Sequence, residues 1–160
     1  MEQEVADAQA MITWSIGASK ITLGTHIGAL CAGGEVIELI GDIGAGKTTL
    51  TKGLAMGMGI DEDIQSPTFT ISRVYTSESG LVLAHYDFYR LQDPGIMSAE
   101  LYESVNDPKT VTVIEWGGVV AGVLPSDTLR LRINSLLDDV RSVTMTAGGP
   151  RSRRILEEMS

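Results

Sequence analysis

The sequence has few of the residues on which several protein classes depend. Its 160 residues include one cysteine, Cys31, so no disulfide can form within the chain. This fits a reducing compartment, and the apolar helical pattern around Cys31 predicts a small core residue. No apolar run approaches the roughly 20 residues that span a bilayer. The start MEQEVADAQA is acidic and lacks the pattern of a signal peptide, so we expect a cytoplasmic protein.

Positive charge is also scarce. The chain has 12 Lys and Arg against 21 Asp and Glu, which gives a formal net charge of -9. Such a chain is poorly suited to bind nucleic-acid phosphates by itself. If nucleic acid is involved, we expect a partner to bind it. One dense basic group, RSRR at residues 151–154, could contact RNA or a partner. Since Glu157 and Glu158 follow it, we favour a solvated tail.

The order of patterns along the chain predicts a single α/β domain over residues 1–160. Apolar strands alternate with amphipathic segments in the first half, beginning with MITWSI, the helical SKITLGTHIGALCAGG and the strand EVIELI. Two later pairs of β-rich runs indicate antiparallel hairpins, TFTISRVYT with GLVLAHYDFY and DTLRLRINS with DVRSVTMTA. These patterns predict a central mixed β-sheet flanked by helices. Residues 1–10 and 147–160 are predicted to be peripheral tails.

The stretch GDIGAGKTTL, residues 41–50, carries the most specific chemistry. Gly41, Gly46, Lys47 and Thr48 match G-x-x-x-x-G-K-[ST] between an apolar strand and an amphipathic helix. Glycines let backbone N–H groups approach phosphate, and the helix N-terminus adds positive potential. The motif therefore predicts a nucleoside triphosphate site with Mg²⁺; the alternative is a glycine-rich turn that binds nothing. In the helix that follows, the glycines at 53 and 57 predict close packing against the sheet.

Two carboxylates end apolar strands, where a magnesium ligand is needed. VTVIE ends in Glu115 and LVLAHYD ends in Asp87, and such strand ends face the ligand crevice of open α/β sheets. The alternative for either acid is a loop cap or a pair with Arg90. We expect His85 to be structural rather than a catalytic base. Trp116 either approaches the nucleotide or closes the core.

Four motifs occur together: GDIGAGKTTL, SPTFTI, HYDFYRL and VIEW. In this order and spacing they resemble the bacterial TsaE (YjeE) family, the ATPase of tRNA threonylcarbamoyladenosine biosynthesis, over roughly residues 12–145. The resemblance implies a P-loop NTPase-like domain that hydrolyses ATP with Mg²⁺. It would support transfer of the threonylcarbamoyl group to adenosine 37 by partners of the TsaD and TsaB type, which alone would meet the tRNA.

The resemblance also implies roles for individual residues. Lys47, Thr68, Asp87 and Glu115 would serve catalysis, with Asp87 needed for hydrolysis and Thr68 a switch residue near the γ-phosphate. Mg²⁺ would be served by Thr48 and Glu115, and which of Asp87 and Glu115 ligates it directly is left open. The nucleotide would contact the N-terminal loop, the glycine loop and one strand arginine: Gly17, Ser19, Gly41, Asp42, Ile43, Gly44, Ala45, Gly46, Lys47, Thr48, Thr49 and Arg141.

The chain departs from the family pattern at sites that face partners. MSAELYESV replaces a glycine-plus-acidic stretch, and Gly117 and Gly118 stand where many members have proline. The alternative function is a small-molecule kinase, but residues 91–129 hold no arginine for a lid. A GTPase is disfavoured because no N-K-x-D motif is present.

Overall fold

The computed structural model describes residues 11–15, 20–41, 46–67, 70–93, 95–135 and 141–159. None of the helices in these ranges is long and apolar enough to cross a membrane. The strands are β1 Met11–Ser15, β2 Val36–Ile40, β3 Ser72–Thr76, β4 Val82–Asp87, β5 Thr110–Glu115, β6 Leu129–Ser135 and β7 Arg141–Ala147. The helices are α1 Lys20–Leu30, α2 Lys47–Gly57, α3 Gly95–Asn106 and α4 Pro150–Met159, with a 3-10 helix at Gly117–Val120.

The strands form one mixed sheet in the order β1-β7-β6-β2-β5-β4-β3. Four adjacent strands, β6, β2, β5 and β4, run parallel. Antiparallel hairpins join β3 to β4 and β6 to β7, and β1 adds to β7. The predicted mixed sheet and both predicted hairpins are therefore confirmed.

The parallel strands are covered on both faces, as parallel sheets require. Every residue of β5 is buried. On one face Ile37, Leu39 and Val113 pack with α1, α2 and α4, and on the other Tyr86 and Ile114 pack with residues of α3. Because these interiors are apolar, the polar side chains at the strand ends stand out as candidates for function.

Helices α1 and α2 approach each other more closely than side chains would permit. A Cβ atom added at Gly28 of α1 would collide with the carbonyl oxygen of Leu54 in α2. One added at Gly57 of α2 would collide with the carbonyl oxygen of Thr25 in α1. The prediction that the α2 glycines pack against the sheet is therefore wrong for Gly57, which packs against a helix. The contact brings two backbones together, so glycine is required on both sides.

Helix α4 is part of the core, so the expectation of a peripheral tail over residues 147–160 is wrong for the part that the structure describes. Arg154 Nη2 donates to the Leu30 carbonyl at 2.7 Å, and Arg151 Nη1 donates to the Gly34 carbonyl at 3.1 Å. Both arginines are exposed, but they anchor the helix to the end of α1 and to the turn that follows it. Residues 1–10 lie outside the described ranges. The helical period gathers the apolar side chains of α4 on its inner face: Ile155, Leu156 and Met159.

Cys31 is a core residue, as its sequence context predicts. It is buried beyond the end of α1, beside the residues of the larger apolar cluster. Burial raises the pKa of the Cys31 thiol, and the negative charge of Glu35 adds to the rise. A thiol that stays protonated is a poor nucleophile, so Cys31 contributes packing and not reactivity.

Candidate active site

The carboxyl ends of three parallel strands bring the candidate residues to one edge of the sheet. Glu115 ends β5 and is level with Leu39 of β2 on one side and with Asp87, the last residue of β4, on the other. Gly41 follows β2 directly. The two predicted acids are therefore neighbours beside the strand that leads into the glycine loop.

Lys47 occupies the first turn of α2, and its side chain reaches back to Gly41. Gly46 precedes it with φ 106° and ψ 21°, a left-handed conformation that glycine adopts without strain. Lys47 Nζ donates to the Gly41 carbonyl at 2.6 Å, and the residue is only 7% exposed. The ammonium group thus spans the two described ends of the loop, next to a helix N-terminus whose first N–H groups have no partner within the helix.

Trp116 forms one wall beside this lysine. Its ring centroid lies 4.3 Å from Lys47 Nζ and 4.9 Å from the ring centroid of Tyr89. The backbone of Trp116 is left-handed, with φ 57° and ψ 48°, which is uncommon for a bulky residue. This turn aims the indole at the lysine instead of at the core, and the residue remains 37% exposed. Of the two interpretations of Trp116, closure of the core is therefore wrong.

Glu115 is buried and bonded to a histidine that the sequence pattern did not connect with it. His85 Nε2 lies 2.6 Å from Glu115 Oε2, and the two residues are 0% and 3% exposed. The partner considered for this acid, Arg90, is thus replaced by an imidazole from the neighbouring strand. The available signal was spacing, since His85 lies two residues before Asp87 and so projects from the same face of β4.

Asp87 caps the loop that follows its own strand. Its Oδ1 accepts a hydrogen bond from the Tyr89 N–H at 3.0 Å. Its N–H donates to the Ile71 carbonyl at 2.8 Å. The loop-cap interpretation is therefore correct as far as these contacts go, and it does not conflict with a chemical role. The cap fixes the direction of a buried carboxylate at the edge beside Glu115.

A cavity of about 580 Å³ opens beside Lys47. Gly41, Lys47 and Trp116 line one part of it, and Arg132 and Asn134 of β6 line another. Neither Arg132 nor Asn134 was predicted as a site residue. Their signal was the alternation in DTLRLRINS, which predicts that they project away from the core. Outward-facing polar residues on a strand are usually solvated, so this pattern alone does not mark a site.

The loop after β5 comes close to the sheet because it contains glycine. A Cβ at Gly117 would lie 2.8 Å from Glu38 Oε2. Glu38 in turn accepts a hydrogen bond from Arg130 Nε at 3.0 Å. The departure from proline at this position therefore permits a tight approach of the loop to a β2–β6 ion pair at the wall of the cavity.

Few protein oxygen atoms in the described part of the chain are available as ligands for a cation. Thr48 follows Lys47 in the first turn of α2, and Glu115 and Asp87 are adjacent strand-end acids. In the described ranges, no group of three or more His, Cys, Asp or Glu side chains is arranged to hold a metal ion. A cation here would need further oxygen ligands from a bound molecule or from water.

Several predicted contact residues lie outside the described ranges: Gly17, Ser19, Asp42, Ile43, Gly44, Ala45 and Thr68. Of the others, Thr49 lies in the first turn of α2 and is half-buried. Arg141 begins β7 and pairs with Ser135 at the end of β6. That position is at the same end of the sheet as the cavity residue Asn134.

Comparison with known proteins gives a consistent result. The sequence profile of the family described as "Threonylcarbamoyl adenosine biosynthesis protein TsaE" matches residues 17–143. The chain is 41% identical over 128 residues to the tRNA threonylcarbamoyladenosine biosynthesis protein TsaE of Bacillus subtilis, covering 79% of this chain and 78% of the relative. Its identity to the protein of the same name from Streptomyces coelicolor is 41% over 134 residues, covering 81% and 90%.

A solved structure extends the likeness to the fold. The crystal structure of YdiB from Bacillus subtilis superimposes with a TM-score of 0.77 at 32% sequence identity, covering 94% of this chain and 95% of that one. The resemblance based on four motifs is thus confirmed over most of the sequence. The chain belongs to the TsaE family of tRNA threonylcarbamoyladenosine biosynthesis proteins.

Proposed function

We propose that the chain is a Mg²⁺-dependent ATPase that supports tRNA threonylcarbamoyladenosine formation by a partner transferase complex of the TsaD and TsaB type. The observation that carries this proposal is the position of Lys47 in the first turn of α2, with its ammonium over the ring of Trp116, the residue that follows the buried strand-end acid Glu115. The activity would take place in the cytoplasm, where ATP and tRNA are found, and the tRNA would be held by the partners.

The chain's own groups suit a triphosphate. N–H groups of the first turn of α2 would donate to phosphate oxygens, as helix N-termini commonly do. Lys47 Nζ now donates to the Gly41 carbonyl, and it would exchange that oxygen for a phosphate oxygen. Because Lys47 is largely buried, the ammonium is weakly screened by solvent, which strengthens its attraction to phosphate.

The donor set also fits Mg²⁺, which prefers carboxylate and hydroxyl oxygens together with phosphate and water. Thr48 and Glu115 would hold the ion, which when bound would neutralise charge on the phosphates. Asp87, fixed by the Tyr89 N–H, would orient the attacking water and accept a hydrogen bond from it. Glu115 would thus serve binding of the ion, and Asp87 would serve the hydrolysis step.

A small-molecule kinase is the alternative, and the cavity lined by Arg132 and Asn134 is the observation that favours it. An acceptor there would lie near Lys47. Against it stands the span of residues 91–129, which contains no arginine for a lid. The two functions differ in where the phosphoryl group goes, either to water or to an acceptor.

Measurement of phosphate release from ATP tests the proposal directly. We expect slow release by the chain alone, faster release when the transferase partners and tRNA are added, and no stimulation by tRNA without them, since the net charge is -9. Phosphoryl transfer to a small acceptor would favour the kinase. Absence of ATP turnover with the partners, tRNA and candidate small acceptors all present would reject both functions.

The two acids should give different defects. Glu115→Ala is expected to weaken nucleotide binding in the presence of Mg²⁺ and to leave Mg²⁺-free binding nearly unchanged. Asp87→Asn retains the oxygen that caps the Tyr89 N–H, so binding should persist while hydrolysis slows roughly 100-fold or more. Calorimetry with ADP and single-turnover hydrolysis separate these effects. Normal hydrolysis by Asp87→Asn would restrict this residue to its loop cap.

Trp116 should report nucleotide binding. The chain has two tryptophans, and the Trp116 ring contacts the ammonium of Lys47. Because indole emission responds to nearby charge, we expect ATP or ADP with Mg²⁺ to shift the fluorescence. Trp116→Phe should remove most of the change, and Trp14→Phe, the matched control, should retain it. Binding detected by calorimetry without any change in wild-type emission would contradict this assignment.

A further inference from the structure

We propose that His85 is a positioning residue that orients the Glu115 carboxylate for Mg²⁺. The inference rests on the proposed function, because it concerns the orientation of one of the proposed Mg²⁺ ligands. His85 would act through Glu115, with no contact of its own to nucleotide or metal.

The fold places the two side chains together by register. Asp87 of β4 is level with Glu115 of β5 in a parallel pair, so their side chains project from the same face of the sheet. His85, two residues before Asp87, projects from that face as well. Its imidazole reaches across to Glu115 Oε2 at 2.6 Å, with both residues buried.

The hydrogen in this bond can be assigned from chemistry. A carboxylate that binds Mg²⁺ is ionised and only accepts hydrogen bonds, so in the proposed arrangement His85 Nε2 would donate to it. His85 Nδ1 is buried and has no hydrogen-bond partner in the part of the chain that the structure describes. Among the described residues, the one polar contact of the imidazole is therefore that to Glu115.

The side chains around His85 are apolar, so an apolar residue would be expected at this position if the hydrogen bond to Glu115 had no role. On the same face of the sheet, Leu83 and Val113 belong to the larger apolar cluster. Burying an imidazole among such residues costs free energy, and the bond from Nε2 to Glu115 offsets part of that cost. A histidine at this position is accounted for by the carboxylate that it contacts.

The bond has a direct consequence for the metal ligand. The terminal torsion of a glutamate is broad and twofold, so a carboxylate without a fixed partner samples many orientations. With Oε2 held by His85, the torsion is set. Oε1 has no hydrogen-bond donor within the described ranges. One oxygen is thus committed to the protein, and the other is left for the ion or one of its waters.

The test compares two amide replacements. In His85→Gln the amide nitrogen can occupy the position of the imidazole Nε2, whereas in His85→Asn the side chain is one methylene shorter and cannot reach Oε2. Calorimetry measures ADP affinity with and without Mg²⁺ for each variant. The ratio of the two affinities reports coupling to the ion, independently of turnover and of any general weakening of the site.

We expect His85→Asn to lower this ratio roughly tenfold, as loss of a hydrogen bond to a metal ligand commonly does. His85→Gln should keep most of the ratio, and Mg²⁺-free ADP affinity should match the wild type in both. An unchanged ratio in His85→Asn, or an equal loss in the two variants, would overturn the inference. If the wild type fails to bind ADP at all, the proposed function itself falls, and this inference with it.

Discussion

Lys47→Ala is expected to lose most of its nucleotide affinity and ATP turnover while the domain remains folded. The lysine provides the one described ammonium group that spans the ends of the glycine loop, at the N-terminus of α2. Hydrogen bonds to charged groups contribute up to about 3 kcal/mol each, so removing one to phosphate corresponds to a roughly 100-fold loss of affinity. Calorimetry with ATP or ADP and phosphate release measure the two effects.

The same helix supplies a matched control. Lys52 lies more than one turn further along α2 and is exposed, so Lys52→Ala changes the net charge equally without touching the loop. We expect it to bind and hydrolyse ATP like the wild type. Lys47→Ala should unfold with a normal cooperative transition, because its ammonium contacts the loop and an indole and not the apolar core. Wild-type ATPase activity in Lys47→Ala would reject the phosphate-binding assignment.

Gly28→Ala is expected to give a large loss of stability. The added methyl group would collide with the carbonyl group of Leu54 on the facing helix, and backbone cannot rotate away as a side chain can. Overpacking of this kind costs up to about 3 kcal/mol, of which the better helix propensity of alanine recovers about 1 kcal/mol. The net loss of about 2 kcal/mol should lower Tm by roughly 4–8 °C.

The test compares the thermal unfolding temperatures of Gly28→Ala and of the control variant Gly122→Ala. A Cβ at Gly122 meets no atom within 4 Å, and its φ is not in the left-handed region. Gly122→Ala should therefore unfold near the wild-type temperature. If Gly28→Ala were equally stable, the close approach of α1 and α2 would not be a constraint on the fold.

Local signals in the sequence determined much of the architecture. The two hairpins follow from alternation and turn residues, patterns that act over a few positions and do not depend on distant partners. The glycine loop followed by Lys47 likewise defines a strand, a turn and a helix start within ten residues. Asp87 and Glu115 could be selected because each ends an apolar run, where a charge is otherwise costly.

Other features depended on contacts between segments far apart in sequence. The amphipathic pattern of α4 could be read from the chain, but its burial required the end of α1 and the turn after it, where the Leu30 and Gly34 carbonyl groups accept hydrogen bonds from Arg154 and Arg151. The closeness of α1 and α2 similarly depends on where two helices cross. No local pattern encodes a crossing point, so the tertiary structure alone assigned Gly57 to a helix contact.

The site itself shows the same division. The sequence supplied Lys47 and Glu115, but their partners were decided by strand register and by one left-handed residue. Register placed His85 against Glu115, and the turn at Trp116 placed its indole over Lys47. A sequence determines the chemistry that each side chain carries, whereas the pairing of side chains 30 or more positions apart is set only when the sheet assembles, because register and crossing geometry are properties of the packed chain.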